Sequence, residues 1–188
     1  MTTTALTMLP DVELDVVVDQ ESDLAGVTAA AVFDRTRTYR YLLTRIWDPS
    51  LPIAVFVMLN PSTADAMADD RTVGRCKDFA RKRWARGGIA VVNLFALRST
   101  DPSMLRAHPD PVGRHNASFV QHAVRHTDLV VAAWGAGGVL GDRGTQMAGA
   151  LRDAGISLQC LGTTSTGQPK HPLYLAGKTG LQAYGVDS

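Results

Sequence analysis

53-IAVFVMLNPSTADA-66 begins as a run of branched and apolar residues and ends in an amide, a proline, two hydroxyls and a carboxylate. The first half reads as a buried strand. Pro61 has no N–H to give to a ladder, so a central strand cannot pass through it. The chain therefore leaves the sheet at Asn60 and at once presents Asn60, Ser62, Thr63 and Asp65 at the strand's carboxyl end.

From this strand onward, apolar runs alternate with helical patterns. A helix near 70–86 puts Val73, Cys76, Phe79, Ala80 and Trp84 on one face, and Gly87-Gly88 reads as its end. Strand 89-IAVVNLFAL-97 follows, then a loop with Pro102, Pro109 and Pro111, and a helix near 113–126. Strand 128-DLVVAAW-134, a glycine loop, a helix near 142–154 and strand 156-ISLQCLG-162 complete the series. A polar loop then leads to 170-KHPLYLAGKTG-180. This alternation predicts a three-layer α/β/α sandwich around a central, mostly parallel four-stranded sheet, with strands near 53–59, 89–95, 128–134 and 156–161. Upstream, 29-AAAVFDRTRTYRYLLTRIW-47 reads as a β-hairpin broken at 34-DRTR-37, added to one edge or covering one face. Residues 1–25 read either as weakly ordered or as an edge strand through 12-VELDVVV-18. The 188 residues suit a single domain spanning 1–188.

Composition narrows the class. The chain is 45% hydrophobic and 20% charged, as soluble globular folds are. Its apolar runs fall far short of the roughly 18 residues that span a bilayer. The first twenty residues carry acids and no basic region, unlike a signal peptide. Cys76 and Cys160 are too few for a disulfide scaffold or a four-thiolate cluster, which places the chain in a reduced cytoplasm. A net charge of +1 means that a nucleic-acid partner needs a local basic patch. Residues 71–86 hold seven Lys/Arg and one Asp, either such a patch or a solvated helix face.

Open parallel sheets bind ligands outside the carboxyl ends of their strands. There the sequence delivers Asn60, Ser62 and Asp65 from the first strand, Asn93 from the second, Trp134 from the third and Lys170-His171 beyond the fourth. Each has a structural alternative. Asn60 suits an Asx-turn before proline, His171 a loop cap, and Trp134 a core position. Asn93 suits a bridge to a neighbouring loop, since a buried amide costs a few kcal/mol unless paired. Asp65, Asp69 and Asp70 suit helix caps, Asp70 best, and no histidine stands near them at metal-ligand spacing.

The order Leu-Asn-Pro, a strand with Val-Asn, Ala-Trp-Gly, then His-Pro-Leu resembles the uracil-DNA glycosylase superfamily over roughly residues 53–175. The same residues look like a bacterial domain family of unknown function whose hallmark is close to MLNPSTADA, WG and HPLY. The first resemblance implies a uracil-DNA glycosylase-like fold and a monofunctional DNA N-glycosylase, acting as a monomer without cofactor, metal or membrane. Departures from the superfamily pattern are Met58 for the first-motif Gly, Asn60 for the acid of the most efficient uracil enzymes, and Tyr174 for the second proline of the histidine motif.

The resemblance assigns roles. Asn60 holds the attacking water, Asp65 adds a carboxylate, and His171 donates to the anion developing on the pyrimidine O2. One such donor contributes on the order of 3–4 kcal/mol. Asn93 reads the Watson–Crick edge of a base flipped from the stack. Phe79, Phe95 or Trp134 stacks on it, while Arg71, Arg81, Lys82, Arg86 and Lys170 contact phosphates. Ser62 stands where uracil-specific enzymes carry a Tyr that blocks C5, so the pocket suits a C5-modified pyrimidine such as those of bacteriophage DNA, and the setting it suggests is phage defence. Two rivals stand beside this reading: an N-glycosidase or transferase on free nucleosides or nucleotides, and a non-catalytic nucleic-acid-binding module of the same fold.

Overall fold

In the computed structural model the described residues are 8–10, 15–23, 26–62, 64, 68–101 and 103–185. They form strands β1 (Val16–Ser22), β2 (Thr28–Asp34), β3 (Arg40–Ile46), β4 (Ile53–Met58), β5 (Gly88–Asn93), β6 (Val130–Ala132), β7 (Leu158–Cys160) and β8 (Gln182–Ala183). The helices are α1 (Arg71–Arg83), α2 (Met104–Ala107), α3 (Asn116–Arg125) and α4 (Arg143–Asp153).

All eight strands join one mixed sheet, in the order β1-β2-β3-β5-β4-β6-β7-β8. β4 runs parallel to β5 and β6, and β6 parallel to β7, so the four expected strands are mutually parallel. They are only half of the sheet, which corrects the expected four-stranded, mostly parallel arrangement. The hairpin β2–β3 covers no face. It extends the sheet, because the outer edge of β5 offers unpaired N–H and C=O groups that β3 meets antiparallel. β1 adds antiparallel to β2 and forms the edge, overlapping the 12–18 segment of the edge-strand alternative only at 16–18, and residues 11–14 lie outside the described set. β8 closes the far edge antiparallel to β7. Reading strands in chain order hides the β3–β5 pairing, since β4 and α1 intervene.

Alternation along β4 divides the core in two. Ala54, Phe56 and Met58 pack with Val73, Cys76 and Ala80 of α1. Ile53, Val55 and Val57 pack on the other face, with Phe119, Val120 and Ala123 of α3 and Met147, Ala148 and Leu151 of α4. Three layers result, with α1 on one side of the sheet and α3 and α4 on the other.

Asp70 caps α1, its Oδ1 accepting the Val73 N–H at 2.8 Å. Asp69 does not cap. It receives Arg45 Nε at 2.8 Å and Lys77 Nζ at 2.7 Å, pinning the approach to the helix. Gly87-Gly88 does not end α1 either. The chain turns at Ala85 with φ of 50°, and Gly88 opens β5. There an added Cβ would stand 2.7 Å from Ile46 Cδ1 and 2.8 Å from the Arg45 carbonyl, so the β3–β5 contact requires glycine.

Candidate functional site

At the carboxyl ends of β4 and β5 lies a cleft of about 330 Å³. β4 ends in Met58 and continues into Leu59, Asn60 and Ser62 on its wall. β5 supplies Asn93, α1 supplies Val73 and Cys76 with its cap Asp70, and the segment after β7 supplies His171 and Tyr174. Arg40, the first residue of β3, also lines it, buried and donating through Nη1 to the Ala64 carbonyl. Asn60, Ser62, Asn93, Trp134 and His171 thus share one cleft. Asp65 lies outside the described residues.

Asn93 is 1% exposed, and neither Nδ2 nor Oδ1 has a hydrogen-bond partner. Its backbone is held from the other layer, where Asn116 Nδ2 donates to the carbonyls of Asn93 at 2.9 Å and Leu94 at 3.2 Å. The bridge expected of Asn93 is therefore made by Asn116, and the Asn93 amide is left facing the cleft.

Asn60 is oriented by its own amide. Nδ2 donates to the carbonyls of Ser99 at 2.8 Å and Pro61 at 3.1 Å. Two acceptors on one side fix the NH2 there and turn Oδ1 the other way. Ser99 in turn donates its N–H to the Pro61 carbonyl at 3.0 Å, so the loop after β5 and the loop after β4 are stitched together.

His171 reaches the cleft because the Trp134-Gly135 turn grips its segment. The Gly135 N–H donates to the Pro169 carbonyl at 2.9 Å, and Trp134 Nε1 donates to Gln168 Oε1 at 2.8 Å. Gly138 makes room for that pair, since its Cβ would fall 2.2 Å from Trp134 Cδ1. His171 Nδ1 accepts the Leu173 N–H at 3.3 Å, which in the neutral ring leaves the proton on Nε2. Burial lowers the His171 pKa below its ordinary 6.5, partly offset by the Asp70 carboxylate, so the ring is neutral at pH 7. The group offered is a neutral N–H donor. Cys76, walled in by the cleft and α1, has its thiol pushed far up by burial and then by Asp70, and is inert as a nucleophile.

None of the expected stacking residues offers an open ring face. Phe79 is buried, stacked on Trp84, and Phe95 lies in the opposite core. Trp134 is 1% exposed with its N–H committed to Gln168, a core anchor whose face is closed. The aromatic at the mouth is Tyr174, 83% exposed and tilted against His171 with ring centroids 5.6 Å apart.

The basic run also divides. α1 runs antiparallel to the strands, so Arg71 starts it at the cleft end, whereas Arg81 stands about 15 Å further along the axis. Arg81 lies over the Trp47 ring, Lys82 pairs with Asp78, and Arg86 pairs with Asp128 at the amino end of the strands. Only Arg71 and Lys170 of the five expected phosphate contacts stand at the carboxyl ends, Lys170 in a hollow shared with His171 and Tyr174.

Residues 40–173 match the family described as "Protein of unknown function (DUF1643)". The chain belongs to this family. The matched span opens at Arg40 and closes at Leu173, both of them on the cleft wall, and among the described residues Tyr174 is the one lining residue beyond it. β1, β2 and β8 lie outside the DUF1643 span. No curated protein and no solved structure gives a significant match.

Arg40, Asp70 and Tyr174 join the site without having been expected there. Arg40 carried no signal, because it opens a strand read as an added hairpin. Asp70 was legible only as a cap, and it is one: its place on the wall follows from a helix that begins at the carboxyl end of β4. Among the described residues, no three His, Cys, Asp or Glu side chains gather at metal-ligand spacing, and no helix is long and apolar enough to cross a membrane.

Proposed function

We propose that the chain is a DNA N-glycosylase related to the uracil-DNA glycosylase superfamily, and that it hydrolyses the glycosidic bond of a flipped, C5-modified pyrimidine. The observation that carries the reading is Asn93, whose amide ends at the cleft with donor and acceptor both unpaired. A pyrimidine's Watson–Crick edge offers the complementary acceptor and donor. A cleft of about 330 Å³ is at the small end of ligand sites, which suits a single base.

Chemistry follows from the other groups. As the C1′–N1 bond breaks, its electron pair leaves with the base and charge collects on O2. A neutral His171 Nε2–H stabilises that charge by hydrogen bonding without first giving up a proton. Asn60 Oδ1, turned away from Ser99, accepts from a water that attacks C1′. The water's oxygen bonds to carbon and its proton leaves to solvent. Asp70 lies on the same wall and supplies negative charge for the cationic sugar. Ser62 leaves space beside the base, and Tyr174 takes the stacking role at the mouth. Modified phage DNA is the setting that a roomy C5 side suggests.

Single-turnover release of free base from duplexes carrying uracil, thymine or C5-substituted pyrimidines tests the reading. Release from a C5-modified substrate, lost in Asn60→Ala and His171→Ala, is the expected result. One observation favours a second reading, a free-nucleotide N-glycosidase or transferase: Arg81, Lys82 and Arg86 stand away from the cleft. Cleavage of the free nucleotide at a rate equal to that of the same base in DNA would decide for it. Binding of the base without release under any condition would decide for a non-catalytic module.

A further inference from the structure

We propose that Arg98 is the cation of a phosphate subsite beside the cleft, and that it holds the phosphate attached to the nucleotide whose base the cleft takes. The ligand class rests on the pyrimidine reading above. The site itself rests on the following geometry.

The cleft does not end at Ser62. Ser62, Ser99 and Thr100 line it and also line a shallow basin of about 530 Å³, whose other walls are Arg37, Thr38 and Arg98. A ligand leaving the cleft on this side meets hydroxyls and then guanidinium groups. Arg98 is held at both ends. Its backbone N–H donates to the Thr38 carbonyl at 2.9 Å, and its Nη1 donates to the Arg37 carbonyl at 3.0 Å. Its Cζ stands 5.0 Å from the centroid of Phe33, a ring that Arg37 also approaches at 4.8 Å.

Charge distinguishes the two arginines. Arg37 makes a two-pronged ion pair with Asp19, both bonds at 2.7 Å. Arg98 has no carboxylate within ion-pair distance among the described residues, and Asp19 feels it only through space. A guanidinium has five N–H donors in a plane, and the Arg37 carbonyl takes one. A fixed, planar cation with donors to spare, reached across three hydroxyl side chains, has the complementarity of a phosphate oxyanion.

The subsite is coupled to the chemistry by a single residue. Ser99 follows Arg98 in the chain, and its carbonyl holds Asn60 Nδ2. A phosphate on Arg98 therefore registers the sugar against the group that holds the water. Two sources carry this chemistry, the monoester of a free nucleotide and the diester of a strand.

Two measurements test the proposal. In the first, inorganic phosphate is titrated into the ¹⁵N-labelled protein and the arginine Nε–Hε signals are followed, with Arg98 assigned by its loss in Arg98→Lys. The Arg98 signal is expected to move saturably and that of the remote Arg125 not at all. Equal, non-saturating shifts at both would overturn the subsite, whatever the cleft binds. In the second, binding of 2′-deoxyuridine is compared with its 5′- and 3′-monophosphates and with a thymidine trinucleotide lacking terminal phosphates. At least one phosphate-bearing probe is expected to bind about tenfold tighter than the nucleoside. Arg98→Gln should cut that advantage to about twofold, and Arg98→Lys should keep part of it as a point charge. Gain with the monophosphates names the monoester as source, and gain with the trinucleotide alone names the diester. An advantage unchanged in Arg98→Gln, with melting as in the wild type, overturns the proposal. A saturable Arg98 shift with no nucleoside or nucleotide bound keeps the phosphate site and removes the pyrimidine reading.

Discussion

Replacing Asn93 by leucine separates a functional amide from a structural one. Both of its polar side-chain atoms are buried and unpartnered in the free protein. Each such group costs about 1–3 kcal/mol. Leucine has the same branch point and no polar atoms, and fitting a bulkier side chain costs about 1–3 kcal/mol. The net expectation is a stabilisation of about 1–3 kcal/mol. For a chain of this length 1 kcal/mol moves the melting temperature by about 2–4 °C, so a gain near 2 kcal/mol raises it by about 4–8 °C. On the proposed reading the same change removes two hydrogen bonds to the base, each about 1–1.5 kcal/mol, and kcat/KM should fall about a hundredfold. Calorimetry on the free protein and single-turnover base release supply the two numbers. A melting temperature that falls by several degrees with base release unchanged would show that Asn93 holds the fold, and the cleft would lose its reading residue.

Other expectations follow from the same geometry. The lowered His171 pKa means that, between that value and 6.5, the unfolded chain holds more protons than the folded one, so stability falls as pH drops through this window and is level above it. Protonation of the folded ring, centred on that lowered value and so at the acid edge of the window, turns Nδ1 into a donor facing the Leu173 N–H, so base release should fall there, and an acid limb that persists in His171→Gln would assign it to another group. Ser62→Tyr should reject bulky C5-modified pyrimidines by a few kcal/mol while keeping activity on small ones. Equal loss on every substrate would place Ser62 elsewhere in the mechanism. Lys82→Ala, at the far end of α1 and paired with Asp78, should leave DNA affinity and its salt dependence unchanged, and a slope reduced by about 0.9 would put a phosphate there.

What the sequence made legible was local. The strand ending at Asn60-Pro61, the cap at Asp70 and the strand bearing Asn93 are each set by neighbouring residues, and each stands where the pattern placed it. All four parallel strands also proved shorter than their expected spans; β5 stops at Asn93 because its continuation turns to follow the Met58 and Leu59 carbonyls. The β3–β5 pairing was not legible, since nothing in 40-RYLLTRI-46 says which strand it will meet. With it went Arg40 and Arg98, whose places depend on that seam. Charge along 71–86 left two readings open, and the spread of the run was not legible for a geometric reason: a helix of 13 residues carries its last turn well away from the site its first turn touches.

The seam between the antiparallel strands and the parallel ones bears on how the protein opens. Thr38 sits at the turn of the β2–β3 hairpin, and its carbonyl holds Arg98, whose neighbour Ser99 holds Asn60. Edge elements tend to open as cooperative units below the free energy of global unfolding. If β1–β2 and the turn that follows open in this way, the Arg98 amide will exchange its hydrogen at the rate of that outer unit and not at that of the central strands, while the Ser99 amide stays on the Pro61 carbonyl. The order of the cleft would then be limited by an edge that contributes no side chain to it.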